Sequence, residues 1–187
     1  TFQYCVKITI DHNQVDADLV DFPLLVQHGD PIGKIQSDGD DVIFVNGSNN
    51  YKLSHEIEDV GSSLLTAWVK LNVSSTVDTD FYMYFGDAIA GNTENINGVW
   101  DSNYDLIQHL NETGDGTADE FNDSTGNSYT GRAGGDSGDT FEPARIDTPW
   151  ASGQDFDGTD DFICESSSNG ICGLPGSSSP LFDPAFD

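Results

Sequence analysis

The chain has 187 residues, of which 33 are acidic and six are Lys or Arg, for a formal net charge of −27. Such a charge repels nucleic acid and anionic membrane and excludes partners of both kinds. Its aromatic and β-branched residues fall in organised runs, so it is not disordered by composition, and its length suits one large β domain or one domain with part of a second.

The first strand is predicted over Phe2–Ile10, with Phe2, Tyr4, Val6, Ile8 and Ile10 on one face and Gln3, Cys5, Lys7 and Thr9 on the other. Cys5 reads as a small buried residue of that strand. Asp11-His12-Asn13 is a turn, and Phe22–Val26 is a short strand with Pro23 at its start or on a sheet edge. Ile35–Phe44 is an acidic turn that runs directly into a strand. Gly39 permits a sharp reversal that gathers Asp38, Asp40 and Asp41. Three carboxylates at this spacing suit a hard cation such as Ca²⁺, or else form a solvated Asp-Gly turn.

Strands follow at Val42–Val45, Leu53–Glu58, Leu64–Val73 and Phe81–Phe85, with the turn Asn46–Asn50 between the first two. In Leu64–Val73, Ala67, Val69 and Leu71 alternate against Trp68, Lys70 and Asn72. No helix is predicted in the first 90 residues. Asn92–Asn103 is a connector holding Trp100, and Leu106–Leu110 is one further strand. From Asn111 to Thr140 the chain is rich in Gly, Asp, Ser, Thr and Asn and reads as loops or weak strands. Gln154–Ile163 is the last strand predicted, followed by a Gly/Ser/Pro-rich tail. The predicted fold is an all-β, antiparallel, jelly-roll-like β-sandwich over residues 1–110, with a loop-rich extension over 111–187.

Chemistry is sparse. His12, His28, His55 and His109 are scattered, without the paired spacing of a zinc site. No nucleophile elbow or phosphate loop occurs, and carboxylate pairs are too common to single out a glycosidase pair, so no enzyme is predicted. Further Ca²⁺ candidates are Glu112, Asp115, Asp119 and Asp123 in one loop, and Asp155, Asp157 and Asp161 on one strand face, with Gly158 able to interrupt it as a bulge. Sequons begin at Asn46, Asn72, Asn111 and Asn122, which matter if the chain is secreted by a glycosylating organism. Cys164 and Cys172 bracket a short loop and are predicted to form a local disulfide, favouring an extracellular setting. Trp68, Trp100, Trp150, Tyr51 and Tyr104 either stack on sugars or pack in the core. No transmembrane run or signal peptide is visible, and Thr1–Tyr4 reads as a mature N-terminus.

The stretches Tyr4–Ile10, Asp21–Val26, Gln36–Phe44, His55–Glu58, Ala67–Lys70, Tyr82–Gly86 and Val99–Asp101 occur in an order that resembles a family of secreted prokaryotic proteins, the domain of unknown function 2341, across roughly residues 1–110. His109-Leu110, Asp123–Asn127 and Phe156–Asp161 are similar to the opening elements of a laminin-G/concanavalin-like module, which often follows that domain. The resemblance implies a partial module, either a fragment or one completed by another chain. A partial sandwich leaves sheet edges that accept a strand from a second molecule, and head-to-tail contact of that kind builds filaments. The role expected is therefore a non-catalytic, extracellular or cell-surface structural subunit of a self-assembling filament or surface layer, with Ca²⁺ and glycans reinforcing it. The alternative is a carbohydrate-binding or adhesion module of a larger secreted protein.

Overall fold

The computed structural model describes residues 1–29, 33–61, 64–134, 140–147, 152–165 and 180–182. The chain is all-β and antiparallel, and it forms two compact units, Thr1–Trp100 and Asp101–Asp187. Residues 101–110 thus fold with the second unit.

The first unit is a β-sandwich. One sheet has the order β1-β6-β3, from β1 (Tyr4–Ile10), β6 (Thr79–Phe85) and β3 (Ile43–Asn46). The other has the order β2-β5-β4, from β2 (Leu19–His28), β5 (Leu65–Val73) and β4 (His55–Val60). The alternation in the sequence dictates the packing, because side chains on a strand point to opposite faces. Leu65, Ala67, Val69, Leu71 and Val73 of β5 are buried with Phe81, Met83 and Phe85 of β6 and Phe44 of β3. Val6, Ile8 and Ile10 of β1 pack against this core. Register aligns Val6 with Met83 and Phe44 with Met83, so the methionine sits at the middle of its sheet.

The long strand β2 is distorted where Asp21 takes φ 51 and the register to β5 shifts between Leu19 and Phe22. The Asn72 side chain accepts the Asp21 N–H at 2.7 Å, which holds the irregularity in place. A 3₁₀ turn at His12–Gln14 is capped by the Asp11 side chain. A single helical turn, α1 (Ile96–Val99), lies in the expected connector.

The second unit contains β7 (Gly131–Ala133), a hairpin of β8 (Ala144–Asp147) and β9 (Ser152–Asp155), then β10 (Ile163–Glu165) and β11 (Pro180–Phe182). Its sheet order is β11-β10-β7, over a small core of Phe121, Ala133 and Ile163. Two expected strands differ here. Leu106–Leu110 is not a strand: Leu110 takes φ 57, and the segment is tied down through its side chains, with Gln108 Nε2 donating to Phe121 O and Tyr129 O. Gln154–Ile163 is split, because Asp157–Asp161 closes a turn between β9 and β10. The tail, expected to be loop-like, supplies β11, which pairs with β10 of its own chain.

Candidate metal centre and the acidic turns

The turn at Asp38–Asp41 closes with the Gly39 N–H on Gln36 O and the Val42 N–H on Gly39 O. Gly39 takes φ 76, the left-handed region that favours glycine. The three aspartates then separate. Asp38 faces solvent and accepts the Asp40 N–H. Asp41 is 1% exposed and accepts the Gln36 N–H at 2.7 Å and the Gly86 N–H at 2.9 Å. Asp41 therefore fastens the turn to the end of β6. Burial, then Asp38, Glu94 and Asp41, raise the pKa of Asp40.

In the loop from Asn111, the acidic residues each organise a different piece of backbone. Glu112 accepts the Asn122 N–H at 3.0 Å. Asp115 accepts the hydrogen bond of Thr117, which lowers its pKa. Asp119, at φ 61, accepts the Thr130 hydroxyl at 2.6 Å. Asp123 accepts the N–H groups of Ile107, Thr125 and Tyr129. Burial alone would raise its pKa, but these bonds outweigh burial and lower it. Glu120, which no spacing in the sequence singles out, belongs to the same loop: its carboxylate accepts the N–H groups of Asp115, Gly116 and Ala133, while burial raises its pKa.

Among the described residues, two groups bring three acid or imidazole donors within 4.8 Å of one another. Neither contains Asp38, Asp40, Asp41, Glu112, Asp115, Asp119 or Asp123. One is Asp157, Asp160 and Asp161. Here Asp161, 5% exposed, accepts the Asp157 N–H at 2.8 Å, and Asp157 accepts the Thr159 N–H at 2.7 Å around Gly158 at φ 77. Asp157 and Asp161 were expected together. Asp160 joins them because the segment is a turn and not a strand, and Asp155 stays exposed on β9. This all-oxygen donor set suits a hard cation such as Ca²⁺.

The other group is Asp11, His12 and Asp78, which spacing alone does not unite. Its geometry is that of a hydrogen-bonded pair: His12 Nδ1 lies 2.7 Å from Asp78, and the His12 N–H donates to the same oxygen at 3.1 Å. Those bonds lower the pKa of Asp78.

The aromatic candidates divide. Trp100 is 4% exposed, and its indole N–H donates to Glu56 at 2.5 Å. Trp68 packs edge-on against it, with centroids 5.2 Å apart, and donates to Glu58 at 2.6 Å. These two indoles cover the outer face of β4 and β5. Tyr51 is 74% exposed, and Tyr104 is half-buried. Trp150 lies outside the described residues.

Cys5, expected to be buried, is free and exposed, because it alternates with Val6 onto the outer face of β1. It pairs across the sheet with Tyr84, and its thiol raises the pKa of the Tyr84 hydroxyl. Cys164 is disulfide-bonded, and its expected partner, Cys172, lies outside the described residues. Of the sequon asparagines, Asn72 and Asn122 are exposed, and Asn46 and Asn111 are half-buried. No helix among the described residues is long and apolar enough to cross a membrane. Comparison of this chain with family models, with curated proteins and with solved structures finds no match.

Proposed function

We propose that this chain is a non-catalytic, extracellular structural protein that self-assembles head to tail into a filament or surface layer. The observation that carries this reading is β2. It is a ten-residue strand that is hydrogen-bonded on one side to β5 and, among the described residues, has no second neighbour in its sheet. Val20 and Leu25 on it are exposed. A long, apolar, open edge is a template for a strand from another molecule. Pro23 removes one donor from that edge, which leaves Leu24–His28 as the stretch for pairing. The disulfide at Cys164 fits an oxidising compartment, and the resemblance of residues 1–110 to a secreted family points the same way. Ca²⁺ at Asp157, Asp160 and Asp161 is the cation this reading calls for.

Sedimentation velocity and negative-stain imaging test it, in Ca²⁺ and then in chelator. Regular polymers are expected, and their loss in chelator would make the ion part of the joint. Leu25→Lys should abolish polymers without changing the circular dichroism spectrum. A chain that stays monomeric in both conditions at high concentration would sink the reading.

A further inference from the structure

We propose that a cleft of about 670 Å³ at one end of the sandwich binds a neutral, hydroxyl-rich saccharide. The cleft is built where β2 begins, β3 turns, β5 ends and β6 starts, since Leu19 pairs with Val73 and Asn46 with Phe81. Its size falls within that of small-molecule sites, about 300–1,000 Å³.

Three asparagines line it, each held in one orientation. Asn46 Oδ1 accepts the Ser48 N–H at 2.8 Å and the Ser48 hydroxyl at 2.7 Å. Asn49 Oδ1 accepts the Tyr51 N–H at 3.0 Å, and Asn72 Oδ1 accepts the Asp21 N–H at 2.7 Å. A backbone donor fixes the oxygen side of each amide, so each Nδ2 is left as a donor. Among the described residues, none of these three Nδ2 groups makes a hydrogen bond.

Carboxylates supply the acceptors. Asp18 is pinned through Oδ1 by Ser74 and Ser75, and Asp78 is pinned through Oδ1 by His12, so each retains its second oxygen. Vicinal sugar hydroxyls donate and accept at once, and fixed amide donors beside carboxylate acceptors match them. Val20, 74% exposed at the rim, offers an apolar contact to a ring face.

The same groups exclude other ligands. Amide donors beside the carboxylates disfavour a cation; Asp18 and Asp80 belong to neither group of metal donors, and Asp78 belongs to one only through Asp11 and His12, which do not line the cleft. Their charge repels uronates and sulfated or phosphorylated sugars. Because Asn46 and Asn72 also head sequons, the saccharide has two sources: the chain's own glycan or an outside polysaccharide.

The test uses unglycosylated chain made in a bacterial host without N-glycosylation. Its ¹⁵N–¹H spectrum is recorded during titration with chitotetraose, cellotetraose and mannotetraose, with oligogalacturonate as the charged control. Shifts confined to Val20, Gly47, Ser48 and Ser74 are expected with at least one neutral sugar and not with the uronate. Asn49→Asp and Asn72→Asp keep the acceptor for the backbone N–H and delete the donor. Each should weaken binding about tenfold or more while the rest of the spectrum stays in place.

No response to any neutral sugar, tighter uronate binding, or unchanged affinity in both variants would overturn the proposal. A second arm separates the sources by mass mapping of chain from its native source. A sugar on Asn46 whose enzymatic removal shifts Val20 and Ser74, or a sugar on Asn72 whose removal shifts Gly47 and Ser48, reaches across the cleft from its attachment and identifies the chain's own glycan. Bare asparagines identify an outside saccharide.

Discussion

Asp38, Asp40 and Asp41 carry one side chain into three environments, and only the fold distinguishes them. Asp41 satisfies two backbone N–H groups, one of them 45 residues away at Gly86. Asp41→Ala removes two charge-assisted bonds and strands a buried donor, so it should cost about 2–4 kcal/mol in denaturant unfolding. Asp38→Ala, at an exposed position, should leave the midpoint unchanged; an equal loss in both variants would show that the turn itself, not its anchor, carries the stability. The glycine and the reversal were legible in the sequence. The inward turn of Asp41 was not, because its partner is set by long-range packing. His55 carries a second prediction. It is 0% exposed and packs edge-on to Phe44 with centroids 5.4 Å apart. Burial lowers its pKa from the ordinary 6.5. The unfolded chain therefore binds a proton first, so this contribution to stability is full above about pH 6.5 and is lost as the pH falls from there toward the depressed folded value. Tryptophan-monitored unfolding between pH 7 and 5 should show that loss, and His55→Phe should flatten it. An unchanged pH slope in the variant would assign the effect elsewhere.

At the scale of elements, what the sequence revealed depended on whether one face was buried. β1, β5 and β6 alternate because their inner residues enter a shared core, and period-two patterning reports that burial directly. Leu106–Leu110 has a similar apolar content, yet it serves as an extended loop whose Leu110 packs on Phe121. The hairpin β8–β9 is polar and largely exposed, so no periodicity marked it. The Asp157, Asp160 and Asp161 group was only half visible for the same reason: reading a strand placed Asp160 on the wrong face. Core alternation also ranks mutations. Met83 is 0% exposed at the centre of its sheet, and Met83→Ala should cost about 2–5 kcal/mol by thermal or denaturant melting. Trp100→Phe keeps most of the apolar volume but deletes the donor to the buried Glu56, so it should cost about 1–3 kcal/mol. A Trp100→Phe variant as stable as the parent would mean that the indole matters only for its area.

For the whole molecule the governing fact is charge. Six Lys and Arg cannot pair with 33 acidic groups, and ion pairs such as Lys7–Asp80 and Arg145–Asp147 are exposed. Most acidic side chains described above are instead tied to backbone N–H groups, which fixes their positions without cancelling their charge. A folded chain of net charge −27 repels itself, so its melting temperature should rise with NaCl as the repulsion is screened. Screening depends on ionic strength alone, whereas a bound ion adds a term set by its affinity. Free Ca²⁺ at about 100 times the dissociation constant would add about 2.7 kcal/mol beyond screening. Calorimetry in CaCl₂, MgCl₂ and NaCl at matched ionic strength separates the two contributions. An excess stabilisation by Ca²⁺ is expected, and Asp160→Asn should remove it, because that exposed carboxylate belongs to the group within 4.8 Å and, among the described residues, anchors no backbone. If all three salts raise the melting point equally, the Asp157–Asp161 turn is a solvated acidic turn, and any polymer this chain forms is held by its strand edges alone.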